Sequence, residues 1–270
     1  MLKDITLGQF FPGKTIVHKL DPRAKLLLTL GYITALFMAK GPLAYALMLA
    51  VLVVCLTLSK IKLKTVMRGL RPIMIIIGLT GILNIFFIRG ETVLLEYRFI
   101  VITREGLLTA IYMMARLIML IIGSLLLTFT TSPIALTDGL ETMLSPLKKI
   151  KLPIHELTMM MSIALRFIPT LIEETDKIIS AQKARGASFD TGGLLKRAKA
   201  ILPLIIPLFI SAFRRADELA IAMESRCYHG GEGRTRMKVL KMAARDFLGF
   251  LWGAAVVAGV VLLGWLSGAA

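Results

Sequence analysis

The chain reads as an all-α polytopic membrane protein: about five transmembrane helices plus a cytoplasmic domain of long amphipathic helices. Three observations carry this. Over 270 residues, 56% are hydrophobic and the mean hydropathy is +0.77, the balance of a membrane chain rather than a soluble one. The apolar residues gather into runs near spanning length. The basic residues gather on alternate connecting segments, as the positive-inside rule requires.

The net charge of +16 would suggest nucleic acid in a soluble chain, but its distribution argues for topology instead. Residues 1–25 carry five basic and two acidic side chains. Segment 59–71 carries Lys60, Lys62, Lys64, Arg68 and Arg71 with no acid. Segment 89–105 is neutral, three arginines against three glutamates, while 132–245 holds 18 basic and 11 acidic residues. The N-terminus is therefore expected in the cytoplasm of a multi-pass cell-membrane protein, and no nucleic-acid partner is expected.

Leu26–Ala39 and Leu43–Leu58 are separated only by Lys40-Gly41-Pro42, which predicts a tight transmembrane hairpin. One continuous span would bury Lys40 at a cost of several kcal/mol. A third span covers Ile73–Ile88, where Asn84 suits an interhelical hydrogen bond. Thr92–Ile102 is β-branched and aromatic, the composition of a short hairpin. The fourth span is Leu107–Thr131; Arg116 inside it is read as a packing residue on a neighbouring helix. Asp246–Ala270 supplies the last span. The domains are thus 1–131 (four spans), 132–245 (cytoplasmic, with the long amphipathic helices) and 246–270 (C-terminal helix).

Within 132–245, Ser132-Pro133 is a helix start with Ser as N-cap and Pro at N1. A long helix begins at Leu152-Pro153 and becomes amphipathic after Pro169, where a kink is expected. Residues 187–193 form a turn, and a second long helix runs from Leu194 to Cys227. Its apolar middle, Ile201–Ala212, is only twelve residues and holds Pro203 and Pro207, so it is not read as a span. The glycine-rich stretch from Gly230 is a linker, since it lacks the Gly-Lys-Ser/Thr of a phosphate loop.

The two long helices end alike. Ala184-Arg185-Gly186 closes the first and Ser225-Arg226-Cys227 closes the second, each with an Arg between small residues. A cation in the last turn suits the helix dipole, and Gly186 suits the position after the cap. Two copies on adjacent polar-faced helices point to a docking device. Cys55 and Cys227 imply no disulfide framework, and Cys227-x-His229 offers too few ligands for a metal, so no metal or other cofactor is expected on this chain.

Three stretches resemble one family: HKLDPRAKL at 18–26, RFIPTLIEETDKIISAQKARG at 166–186 and AMESRCYHGGEGRTR at 222–236. With the span count they identify the chain as similar to the transmembrane coupling (T) component, EcfT, of energy-coupling factor transporters. The opening GQFFPGKTIVHKLDPRAKLL looks most like the shared T components that serve several vitamin-binding subunits; a dedicated cobalt/nickel-type T component is the alternative. The resemblance implies two ABC-type ATPase subunits, which bind the ATP, and one substrate-binding S component in the membrane. It maps the coupling arginines to Arg185 and Arg226. Ser225 and Cys227 stand where the family has Ala and Gly, so loss of the glycine cap allows the second helix to run on. Met159-Met160-Met161 is a candidate S-component contact, because unbranched thioethers repack against different surfaces.

A non-enzymatic scaffold is the reading these residues favour. A self-sufficient carrier would show repeated halves and midplane polar sites, and an intramembrane enzyme would need a nucleophile–base pair or metal set within the spans. Inside the spans, Arg116 and Asn84 are the notable polar residues.

Overall fold

The computed structural model describes residues 10–88, 90, 92–97, 100–146, 153–187, 193–230 and 240–268. Nine helices and one β-hairpin are placed among them: α1 Pro22–Met38, α2 Gly41–Ser59, α3 Leu63–Leu70, α4 Met74–Phe87, β1 Val93–Tyr97, β2 Ile100–Thr103, α5 Arg104–Thr130, α6 Pro133–Leu144, α7 Ile154–Ala184, α8 Leu194–Glu224 and α9 Ala244–Gly268. The chain divides into two compact units. One comprises Gly8–Gly139 with Leu240–Ala270, and the other carries Leu140–Val239.

Among the described residues of the first unit, four stretches are long and apolar enough to cross a membrane: Gly41–Ser59, Leu63–Phe87, Arg104–Thr130 and Ala244–Trp265. The fifth expected span, α1, is 17 residues long and packs among them. The tight α1–α2 hairpin forms through Ala39-Lys40, with Gly41 at φ +76° starting the return helix. Ala35, Leu36, Ala44, Tyr45, Met48, Met119 and Val260 make one core where α1, α2, α5 and α9 meet. The outward side chains stay apolar, as lipid-facing ones should: Phe87 is 78% exposed and Ile75 79%.

The basic segment 59–71, read from the sequence only for its charge, is mostly helix α3. Val66 and Leu70, four residues apart, pack with Ile77 and Phe129, while Lys64, Arg68 and Arg71 stay exposed. A single 3₁₀ turn at Arg71–Ile73 carries the chain into α4.

The hairpin expected over 92–102 is present as antiparallel β1 and β2, with Tyr97 opposite Ile100. Thr103 then caps α5, accepting from the Gly106 N–H at 3.2 Å. Arg116 lies over the rings of Phe37 (5.8 Å) and Tyr45 (5.7 Å), a packing contact on the α1–α2 hairpin.

One end of this unit is tied by a polar clasp that explains the HKLDPRAKL stretch residue by residue. Asp21 caps α1 by accepting from the Arg23 N–H at 2.9 Å, and Pro22 takes the N1 position. Lys25 is 6% exposed and spends its three donors on the carbonyls of His18 and Thr130 and the hydroxyl of Thr131. Asp246, 1% exposed, accepts from the Asp21 N–H (2.8 Å) and the Ala243 N–H (2.7 Å). The clasp therefore joins the starts of α1 and α9 to the finish of α5. His18 packs beside it, between Thr15 (2.6 Å) and the Phe11 carbonyl (3.0 Å). Burial holds its pKa below the ordinary value, and because a carbonyl only accepts, Nε2–H donates to Phe11 O.

Candidate functional site

The second unit presents the two arginine-bearing helix ends. Both α7 and α8 are 31 residues long and run unbroken through their prolines, Pro169 in one and Pro203 and Pro207 in the other. α8 is not among the stretches long and apolar enough to span, in keeping with its proline-interrupted middle. Ser132 starts α6 as expected, its Oγ accepting from the Ala135 N–H at 3.2 Å. Glu141 of α6 meets His155 of α7 at 3.1 Å. The turn expected over 187–193 lies mostly outside the described residues, as does the linker after Gly230.

At the end of α7 the Gly186 N–H donates to Lys183 O (3.0 Å) and the Ala187 N–H to Gln182 O (3.0 Å). That is a Schellman motif, with Arg185 at the cap and Gly186 left-handed at φ +85°. At the end of α8 the Cys227 N–H donates to Glu224 O (2.8 Å) and the Tyr228 N–H to Met223 O (3.1 Å). This is the same motif one step along, with Arg226 at the cap and Cys227 left-handed at φ +57°. The expected run-on of α8 past Cys227 therefore does not occur. The two carbonyls at the helix end are satisfied by closing the motif, and a side chain there takes the strained conformation that glycine would take freely.

The strain has a measurable consequence. A non-glycine left-handed residue costs about 1–2 kcal/mol, so Cys227→Gly should stabilise the α8 end by about 1 kcal/mol. Exchange of the Cys227-position and Tyr228 amides should slow roughly fivefold, whereas Gly186→Ala should speed the corresponding amides of α7. Unchanged exchange in Cys227→Gly would show that the position carries no strain.

Ala184, Arg185, Gly186, Ser225, Arg226 and Cys227 are all exposed, and neither guanidinium makes a hydrogen bond or ion pair among the described residues. The Cys227 thiol is free. Each Arg therefore stands at a closed helix end with its five donors unspent. On the front half of α7, Met160 (54%) and Met161 (46%) are exposed, while Met159 is half-buried.

What holds the two helices together was not anticipated. Glu174 of α7 accepts from the Ser211 hydroxyl and from Arg215 Nη2 (3.0 Å) of α8. The Ser211 hydrogen bond, then Arg215, holds its carboxyl below the usual carboxylate range. Glu174 lies eleven residues before Arg185, and Arg215 lies eleven before Arg226. At about 1.5 Å per residue, each arginine stands roughly 16 Å along its helix from the shared contact. The repeated spacing, Glu174 to Arg215 and Arg185 to Arg226, was the sequence signal that could have found this brace.

The comparisons agree on one family. The family profile described as cobalt transport protein (CbiQ) matches residues 13–237. A relative from Clostridium kluyveri is 53% identical over 252 residues, 93% of each chain. One from Thermosediminibacter oceani is 54% identical over 250 residues, 93% of this chain and 94% of its own. One from Acidaminococcus fermentans is 52% identical over 266 residues, 98% of each. All three carry the name energy-coupling factor transporter transmembrane protein EcfT.

Proposed function

The chain belongs to the CbiQ/EcfT family of transporter transmembrane proteins, and on that premise we propose that it is the scaffold of an ABC-type energy-coupling factor importer. It transmits the movement of two cytoplasmic ATPase subunits to one S component that binds a vitamin or other micronutrient. It is not itself an enzyme: ATP is bound and hydrolysed by the partner subunits. The observation that carries this reading is the pair of like helix ends, each presenting an unspent arginine at the same distance from the Glu174–Arg215 contact. Two equal arms suit two equal ATPase partners. The N-terminus lies in the cytoplasm, α1 is the fifth span, and the exposed Met160 and Met161 with Met159 contribute to the S-component surface. A dedicated cobalt/nickel role is the second reading, favoured by the description of the matching family profile.

Purification of the tagged chain from its own membrane tests this directly. Two ABC-type ATPase chains and at least one small membrane subunit should come with it. Several different S components would favour the shared type, and a single metal-type one the dedicated type. Recovery of the chain without any ATPase would overturn the scaffold reading. A photo-crosslinker at Met160 should capture the S component; crosslinks only to lipid or to the chain itself would remove that contact.

A further inference from the structure

The membrane unit contains a half-open cavity of about 560 Å³ between α1, α2, α5 and α9. Its wall runs over 25–35 of α1, 51–58 of α2, 123–130 of α5 and 245–257 of α9. It therefore occupies the half of the unit where α1 and α9 begin and α2 and α5 finish. Along its length the wall is largely apolar, with Leu28, Val51, Leu127, Trp252 and Val256 on its four sides and Thr29, Tyr32 and Cys55 as its polar side chains. Gly31 marks where it reaches a helix backbone, since a Cβ there would meet no atom within 4 Å.

Both charged side chains in the wall, Lys25 and Arg245, are basic, and both lie at the clasp end. Lys25 has its three donors committed, so it contributes positive charge and an apolar stem. Arg245 is exposed and makes no hydrogen bond among the described residues. Lys19 lies in the chain between the lining residues Val17 and Leu20. The adjacent carboxylates, Asp21 and Asp246, are buried and accept from backbone N–H groups of Arg23, Asp21 and Ala243.

Water is a poor occupant of this length, where polar side chains are few and the Tyr32 hydroxyl already donates to the Met119 carbonyl. A partner helix, about 10–12 Å across, needs an open face rather than a half-closed cavity. The volume falls within the roughly 300–1,000 Å³ of ligand sites. An apolar trough in a membrane unit with cations at one end fits an amphiphile with an anionic head. We propose that this cavity binds one anionic phospholipid of the bilayer, with an acyl chain in the trough and the phosphate head held by Arg245. It would bridge α1, α5 and α9 at the level of the clasp.

The test is native mass spectrometry of the full-length chain released from vesicles of equal phosphatidylglycerol and phosphatidylcholine with matched acyl chains. The wild type should retain one phosphatidylglycerol in preference to phosphatidylcholine by at least about fivefold, the bias one cation at a membrane surface provides. Arg245→Gln should reduce that ratio about fivefold, and Gly31→Leu should displace the retained lipid whatever its head. Equal retention of the two lipids by the wild type overturns the proposal, as does an unchanged ratio in Arg245→Gln. So does a retained phosphatidylglycerol in folded Gly31→Leu. Should Gly31→Leu not fold, the head-group ratio of wild type against Arg245→Gln decides alone.

Discussion

Replacing Arg185 and Arg226 together by alanine should abolish substrate uptake while leaving the chain folded in the membrane at normal level. Both helix ends are closed by backbone hydrogen bonds that do not involve the guanidinium groups, so alanine at either cap leaves the Schellman geometry in place. What it removes is a planar cation with five donors in a fixed fork, still charged when partly desolvated. Truncating a buried interfacial arginine costs about 2–5 kcal/mol, much of it from partner groups left unpaired. Each single variant should therefore weaken recovery of ATPase with the tagged chain by tenfold or more, and the double variant should lose it. Lysine at either position should rescue only in part, because a point charge does not reproduce the fork. Were the arginines only solvated helix-end charges, each would contribute about 0.3–1 kcal/mol and the double variant would still transport. Normal ATPase recovery and uptake in the double variant would remove the coupling assignment.

Asp246→Ala should produce the largest loss of stability in the membrane unit. Its two carboxylate oxygens accept from two backbone N–H groups, one starting α9 and one belonging to Asp21 at the start of α1. Hydrogen bonds to charged groups are worth about 1.5–3 kcal/mol each; the orphaned Asp21 N–H would stay buried, while the half-buried Ala243 N–H would reach water. A loss of about 2–3 kcal/mol is expected, seen as a lower midpoint of thermal unfolding of the detergent-solubilised protein. Asp246→Asn should recover only part of this, since its amide offers one acceptor and turns an NH₂ towards the other donor. A melting midpoint unchanged in Asp246→Ala would show that α1 and α9 are held by their apolar contacts alone.

Much of this architecture was legible from residue order, and particular residues show why. The α1–α2 hairpin was readable because Lys40-Gly41-Pro42 cannot sit in the middle of a span. The two long helices were readable from their apolar stripes and from an Arg beside small residues at each end. Segment 59–71 was read only for its charge because two apolar residues, Val66 and Leu70, are too few to show a period until Phe129 supplies the surface they cover. Cys227 was misjudged because left-handed geometry at a helix end depends on which carbonyls are still unsatisfied, which residue type alone does not reveal. The brace at Glu174 joins residues 37 and 41 positions apart, beyond any local pattern, and only the repeated 41-residue spacing pointed to it.

Hydropathy, charge placement and motif spacing by themselves determined the membrane class, the helical elements other than α3, and the arginine-bearing ends, because each depends on period and on neighbours within a few turns. Only the tertiary structure decided that Lys25, Asp21 and Asp246 form one clasp, that Glu174 pairs with Arg215, and that the apolar runs leave a trough ending at Arg245. These depend on which groups from distant parts of the chain share a space poor in water. There a buried donor or charge must find its partner across the fold rather than along it.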